Sequence, residues 1–452
     1  MIKEIRNIKA VALGLLMVSP VLLAKVDLQT AAQLGKSLTP IGAEKNASSN
    51  GLIPEWTGGL PVDQGVMNKK GEIEDPFTTD KPVLTITHQN AEQYKDRLSK
   101  GQLATLKRYP DTYKMVIYPT RRTAAYPQDV YRETIANATQ VESASGGNGL
   151  SHYRFGVPFP IPHNGKEVIW NHITRYRSSG VAIKSSQVMV RPGGQFMEVT
   201  NDTELVYAQG IKEFHAEDNI LYLYKSKVMS PSRQAGEVLL VHESLDQVAE
   251  PRKAWKYLPG QRRVRRAPIV AYDNPGRNSD NGRTADDLDM FNGAMDRYEW
   301  KLIGKKAIYI PYNSYRLYDK SASIKDIATP GHLNPDRIRY ELHRVWVVEA
   351  TLKEGQRHVY AKRTFYIDED TWQISVADLY DNRGEFWRLS QSYHLQYNPD
   401  SVPWVAGDSI YDLISGRYVA SGLTNSFSEP VRFNLASSKA DFTPPAIRRW
   451  GR

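Results

Sequence analysis

From about residue 150 the sequence breaks into short aromatic or β-branched stretches, among them SSQVMVRP, QFMEVTND, NILYLYKSKVM, GEVLLVHE, LHRVWVVEATL and EFWRLSQSYHLQY. Turn formers such as PGG, PGQ, IDEDT and DNRG separate many of them. Strands this close in sequence must pair antiparallel, because a parallel neighbour needs a crossover of about a dozen residues or more. Residues 146–452 therefore read as an antiparallel meander joined by hairpins. Tyr and Trp total 26 and 9 against 11 Phe, and such amphipathic rings suit half-buried β-surfaces and the walls of wet grooves.

Upstream the pattern changes. Residues 25–80 are rich in Gly, Pro, Ser and Asn (LTPIGAEKNASSNGLIPEWTGGLP) and sustain no period. This predicts an extended segment wrapping a body, with one short helix in DLQTAAQLGKSL capped by Asp27. Residues 81–145 read as helical. THQNAEQYKDRLSKG runs from an Asn90 cap to a Gly101 stop, QLATLKRYP ends at Pro110, and YPQDVYRETIANAT places Pro127 at a first helical position.

Residues 1–24 join a basic head (MIKEIRNIK) to a short apolar run (AVALGLLMV) and a small residue, Ala24. That is the layout of a secretory signal peptide, and the apolar run is too short to span a bilayer. The expected location is the Gram-negative periplasm, with the chain soluble or peripherally associated with the outer membrane. The absence of Cys excludes disulfides, thiol catalysis and Cys-based metal sites. Net charge is +9 and becomes +7 once the leader's three positive charges and one negative charge are removed, a modest surplus for so long a chain.

Two segments carry most of the remaining information. In AWKYLPGQRRVRRAP, Pro259-Gly260 makes a turn, after which Arg262, Val264 and Arg266 fall on one strand face and Arg263 and Arg265 on the other. A nucleic-acid groove would gather its basic residues on one face with aromatics between them, so nucleic acid is not the expected partner. Carboxylates available to these arginines lie in DDLD (Asp286, Asp287, Asp289) and IDED (Asp368, Glu369, Asp370). IDEDT itself reads as a solvated hairpin tip. The second segment, TADDLDMFNGAMDRYEW, predicts an amphipathic helix over about 284–293, capped by Thr284 and ending near Gly293. Leu288 and Phe291 would share one of its faces. No HExxH, GxSxG, P-loop or GxGxxG before a helix is present, so no catalytic residue, metal site or cofactor is expected.

The stretch W-x-Y-x-P-x-x-R-x-V-R resembles a strand pair of outer-membrane lipoprotein-sorting proteins of the LolA/LolB type. Taken with LGKSLTPIGAEKNASSNGLIPEWTGGL, KEVIWNHITRYR, DDLDMFNGAMDRYEWKLIGKKAIYIPYN and YIDEDTWQISVADLYDNRGEFWR, the chain looks like a large periplasmic family. That family is known by a numbered domain of unknown function and described as outer-membrane lipoprotein-sorting-like. The resemblance implies an α+β fold, a curved antiparallel sheet forming a half-open barrel with helices on its concave face. It also implies an apolar hollow for acyl chains. Family members are often encoded near an outer-membrane β-barrel protein and an efflux-type permease, which implies envelope transport of a hydrophobic compound. At about twice the length of the small sorting carriers, and without a lipid-bearing cysteine, the chain departs from a true lipoprotein chaperone.

The expected function is thus non-enzymatic binding or relay of a lipid or other hydrophobic molecule. Trp255, Tyr257, Trp346 and Tyr366 are the candidate wall residues, with Leu288 and Phe291 on a plug helix. The alternatives are an envelope hydrolase acting on glycan or lipid through carboxylates, and a non-binding scaffold of an outer-membrane complex.

Overall fold

The computed structural model describes residues 26–64, 67–68, 72–215, 218–267 and 272–452; the expected signal peptide at 1–24 lies outside them. Short strands β1 (Leu84–Ile86) and β2 (Met115–Ile117) pair with each other, and β3 (Glu142–Ala144) and β4 (Gly149–Ser151) form a separate hairpin. Two meanders follow. The first comprises β5 (Gly180–Val190), β6 (Phe196–Tyr207), β7 (Tyr222–Ser230), β8 (Val238–Glu243), β9 (Lys253–Leu258) and β10 (Arg263–Arg266). The second comprises β11 (Tyr298–Pro311), β12 (Tyr340–Leu352), β13 (Lys362–Asp368), β14 (Ile374–Tyr380), β15 (Phe386–Tyr397), β16 (Val402–Asp412) and β17 (Tyr418–Leu423).

Pairing of β17 with β5 fuses both meanders into one 15-stranded sheet, which β2 joins at Tyr340 through its one parallel contact. Bulges interrupt the register at Leu302/Gly304, Tyr366/Ile367, Leu379/Tyr380 and Ser392/His394, and each bends its strand and adds twist. The sheet curves without closing, as a half-open barrel. Its long edge strand β11 is blunted by exposed Lys301 and Lys306 and by the bulge at Gly304, devices that discourage pairing with another chain.

Since β10 and β11 are consecutive in sequence but lie at opposite edges, the chain between them must cross a face of the sheet. This crossing segment forms a strap. It is not the predicted amphipathic helix: Ala285–Met290 is a 3-10 segment, broken where Leu288 is extended (ψ 132°) and Asp289 is left-handed (φ 55°). The Thr284 cap is real and forms a capping box with Asp287. The helix fails beyond it because Asp286, Asp287 and Asp289 reach in different directions to separate buried partners.

Helices α1 (Leu28–Ala31), α2 (Lys100–Arg108), α3 (Gln128–Gln140) and α4 (Gly165–Thr174) precede the first meander. Single turns α5 (Tyr315–Tyr318) and α6 (Ile324–Ile327) follow β11, and α7 (Pro444–Trp450) ends the described chain. Gly101 does not stop a helix. It lies in the first turn of α2, which a Ser99–Gln102 capping box starts, while 91–97 forms 3-10 turns. Along β12, Val345 and Val347 join one core, whereas Val348 and Ala350 join the other. The inner core holds α4 and the strap's Met290 and Phe291. Leu106 of α2 and Ile447 of α7 pack on the outer face. No helix among the described residues is long and apolar enough to cross a membrane.

The IDED acids are buried, contrary to a solvated tip, with Asp368, Glu369 and Asp370 at most 3% exposed. Residues 41–46 of the wrapping segment cover them: Trp372 Nε1 donates to the Ile41 carbonyl at 2.9 Å, and Arg344 Nη2 to that of Asn46 at 2.8 Å. Arg122 holds Asp370 through two hydrogen bonds of 2.8 and 2.7 Å, and Lys305 binds Glu369 at 2.8 Å. Neither acidic run meets the arginines of β10. The side chains of Arg262, Arg263, Arg265 and Arg266 are exposed and form no ion pair with a described residue, as an edge strand beside solvent allows.

Candidate functional site: a cavity beneath the strap

The strap is fastened at several points. Arg363 Nη2 donates to Asp286 Oδ2 at 2.7 Å, His358 approaches the same oxygen at 3.1 Å, and Tyr360 donates to Asp287 Oδ2 at 2.9 Å. Arg175 and Arg177, just after α4, each take one oxygen of Asp289. Burial pushes the Asp289 carboxyl up, but these two guanidiniums outweigh it and hold it well below the usual range. His172 lies under the same turn, where burial and then Arg175 push it down to about 3. It is therefore neutral, and its Nε2–H donates to the Asp289 carbonyl at 2.9 Å.

Between strap and sheet lies a cavity of about 330 Å³. Its apolar wall is built from alternate residues of the first meander: Val181 and Ile183 on β5, Leu205 on β6, Tyr224 on β7, and Leu239 and Val241 on β8. Trp404 of β16 and Leu288 of the strap also line it, and it stays partly open to solvent. The period of two selects these residues, since Val206, Leu223, Val238 and Leu240 point to the outer face under α7. The remaining lining is polar and rich in arginine: Arg175, Arg177, Arg252, Arg277 and Arg283, with Asp289, Asp408 and His394.

Several of these polar groups lack a partner. His394 Nε2, Arg177 Nε, Arg277 Nε and Arg283 Nε are buried without a hydrogen bond. The side chain of Asp408 forms no ion pair or hydrogen bond with any described residue. Burial pushes its carboxyl up to about 7, Arg283 opposing and Asp289 and Asp287 reinforcing the shift. A second hollow of about 560 Å³ lies on the other flank of the strap, beside Ser279–Gly282. Four of its charged residues pair, Arg417 with Asp280 and Arg388 with Asp412, while Arg191 is exposed at its edge, so it reads as a salt-bridged cleft.

The DUF1329 family, described as a protein of unknown function, matches residues 85–448, a span that includes both meanders and the strap. The chain belongs to the DUF1329 family. This DUF1329 chain is 49% identical over 441 residues to an uncharacterized protein of Pseudomonas aeruginosa, with 97% of each chain covered. Among solved structures it is similar to a DUF1329 family protein from Desulfovibrio piger at 16% identity (TM-score 0.42, covering 60% of this chain and 92% of that one). It is also similar to a putative outer membrane lipoprotein-sorting protein domain from Vibrio parahaemolyticus at 14% identity (TM-score 0.41, 60% and 92%). A LolA superfamily protein from Nitrosomonas europaea matches at 12% identity (TM-score 0.37, 62% and 98%).

The residues singled out from sequence are dispersed across the DUF1329 fold. Leu288 lines the cavity. Phe291 is buried beside it in the inner core, edge-on to Trp300 at 5.2 Å and Phe365 at 5.7 Å. Trp346 stacks on Trp372 with centroids 6.1 Å apart. Trp255 and Tyr257 pack beneath α7 on the outer face, and Tyr366 joins the outer core, donating to Asp378 at 3.3 Å. The aliphatic wall of β5–β8 was not singled out. Its signal is the short apolar run in GVAIKSS and in GEVLLVHE, which marks strands without saying which face lines a cavity.

Among the described residues, His343, Asp368 and Asp370 could place ligand atoms within 4.8 Å of one another. The Arg122 guanidinium is already bound to Asp370, and burial of His343 is outweighed by Asp368 and Glu341, which raise it to about 9. A protonated imidazole beside a guanidinium leaves that cluster ill-suited to a metal ion.

Proposed function

We propose that the protein binds a hydrophobic molecule in the cavity beneath the strap and carries it between partners of the bacterial envelope. The observation that carries this reading is the apolar wall of β5–β8 facing a half-open cavity of about 330 Å³, which falls within the range of about 300–1,000 Å³ usual for small-molecule sites. The strap supplies the closing element, since it crosses the opening and is tied down by side chains at chosen points. In this reading the chain works in the Gram-negative periplasm. It exchanges cargo with an outer-membrane β-barrel protein and an efflux-type permease.

A carboxylate hydrolase would need two free facing acids. Of the two acids lining the cavity, Asp289 has both oxygens held by guanidiniums, which leaves Asp408 alone. This favours a carrier over an enzyme. The test is to fill the hollow. Leu205→Trp and Val241→Trp should each lower uptake of the neutral dye Nile red at least about tenfold while far-UV circular dichroism is unchanged. Unaltered uptake in both variants would place the dye, and the function, elsewhere.

A further inference from the structure

The cavity's arginines are not equally occupied. Arg175 and Arg177 share Asp289, and Arg252 is paired with Glu243. Arg277 and Arg283 remain. They lie on a small hairpin of the strap, in which Pro275 bridges Thr284 and the Gly276 N–H donates to the Arg283 carbonyl at 2.9 Å. Gln187 of β5 fixes this hairpin from the sheet, accepting from Arg283 Nη2 at 2.8 Å and donating to the Arg277 carbonyl at 3.1 Å.

What the two guanidiniums lack is a closely bound anion. The side chain of Arg283 makes only the bond to Gln187 and no ion pair with a described residue. Arg277 reaches two backbone carbonyls at 3.4 and 3.5 Å and has Glu237 no nearer than 4.0 Å. Both Nε–H groups are buried without an acceptor. Asp408 is the nearby carboxylate, yet it forms no pair with Arg283, and burial favours its neutral form. A site with apolar walls, two under-used guanidiniums and buried unmatched donors fits a molecule with the complementary distribution.

We infer that the cargo is an amphiphile with a single anionic head, a carboxylate or a phosphate monoester, which seats on Arg277 and Arg283. Its hydrocarbon tail lies along Val181, Ile183, Leu205 and Leu239. This inference rests on the carrier reading and adds the polarity of the guest and the direction in which it lies.

The test compares ligands that share one tail. Oleate, oleyl phosphate and oleyl alcohol are titrated into the full-length protein by calorimetry, with acetate and inorganic phosphate as head groups alone. The expected result is that at least one anionic oleyl ligand binds at least tenfold more tightly than the alcohol, and the ratio of oleate to oleyl phosphate names the head. Acetate and phosphate alone should show no saturable binding. In the double variant Arg277→Gln, Arg283→Gln the preference should vanish, with the three oleyl ligands binding within about twofold of one another. Equal affinity of the wild type for all three oleyl ligands would overturn the inference and leave the carrier reading intact, and this arm needs no variant to fold. A preference that survives in the double variant would also overturn it. Failure of every oleyl ligand to bind would refute the carrier reading itself.

Discussion

Asp408→Asn replaces a carboxylate that faces the cavity without a partner by an amide of the same shape. Burial raises this acid from 3.8 to about 7 in the folded protein, and each tenfold change in proton affinity is worth about 1.4 kcal/mol. The charged form therefore costs at most about 4 kcal/mol of stability, with water in the cavity acting to reduce it. The sign follows from proton binding. A folded-state value above the unfolded one means that the folded chain holds this proton more tightly. Stability therefore falls as pH rises from about 4 to about 7, and the full cost is present above 7. The Asn variant escapes it. Urea unfolding at pH 8 should show Asp408→Asn more stable than wild type by up to about 4 kcal/mol, with the gap closing towards pH 4. A variant that is less stable at pH 8, or a gap that does not change with pH, would refute the assignment of Asp408 as a partly buried, unpaired acid.

Three further outcomes follow from the same geometry. Arg363→Met removes the fully buried cation that anchors Asp286 and the strap, and should cost about 3–5 kcal/mol in chemical denaturation. Trp372→Ala removes a side chain with no exposed surface, stacked on Trp346 and bonded to the Ile41 carbonyl, and should cost about 3–5 kcal/mol while freeing residues 41–46 to proteolysis. His343 is held between Glu341 and Asp368 and raised to about 9, so its contribution is complete below about 6.5 and is lost as pH climbs through 9. Melting temperatures of wild type should accordingly fall over that window, and His343→Gln should flatten the fall.

Strands were legible because their composition is local: GEVLLVHE holds a short apolar run bounded by polar residues, and β8 spans Val238–Glu243. Which side of that strand encloses a cavity was not legible. Leu239 faces the hollow and Leu240 the outer core, and only pairing with β7 and β9 decides between them. The acidic cluster DDLD was visible, whereas its partners were not, because Asp286 meets Arg363 77 positions away and Asp289 meets Arg175 114 positions away. A helical reading of that cluster failed for the same reason, since long-range ion pairs override the local period. IDEDT shows a related effect. Its turn chemistry is local, but its burial depends on Arg122 and on residues 41–46, a covering that no short window reveals.

The account stands or falls on whether the space beneath the strap holds a guest. Native mass spectrometry of the protein, gently extracted from the periplasm, addresses this directly. The account predicts a co-purifying small amphiphile on the wild-type chain, absent from a folded Leu205→Trp variant. Repeated preparations of wild type showing only the bare polypeptide mass, or the same adduct on both proteins, would contradict it.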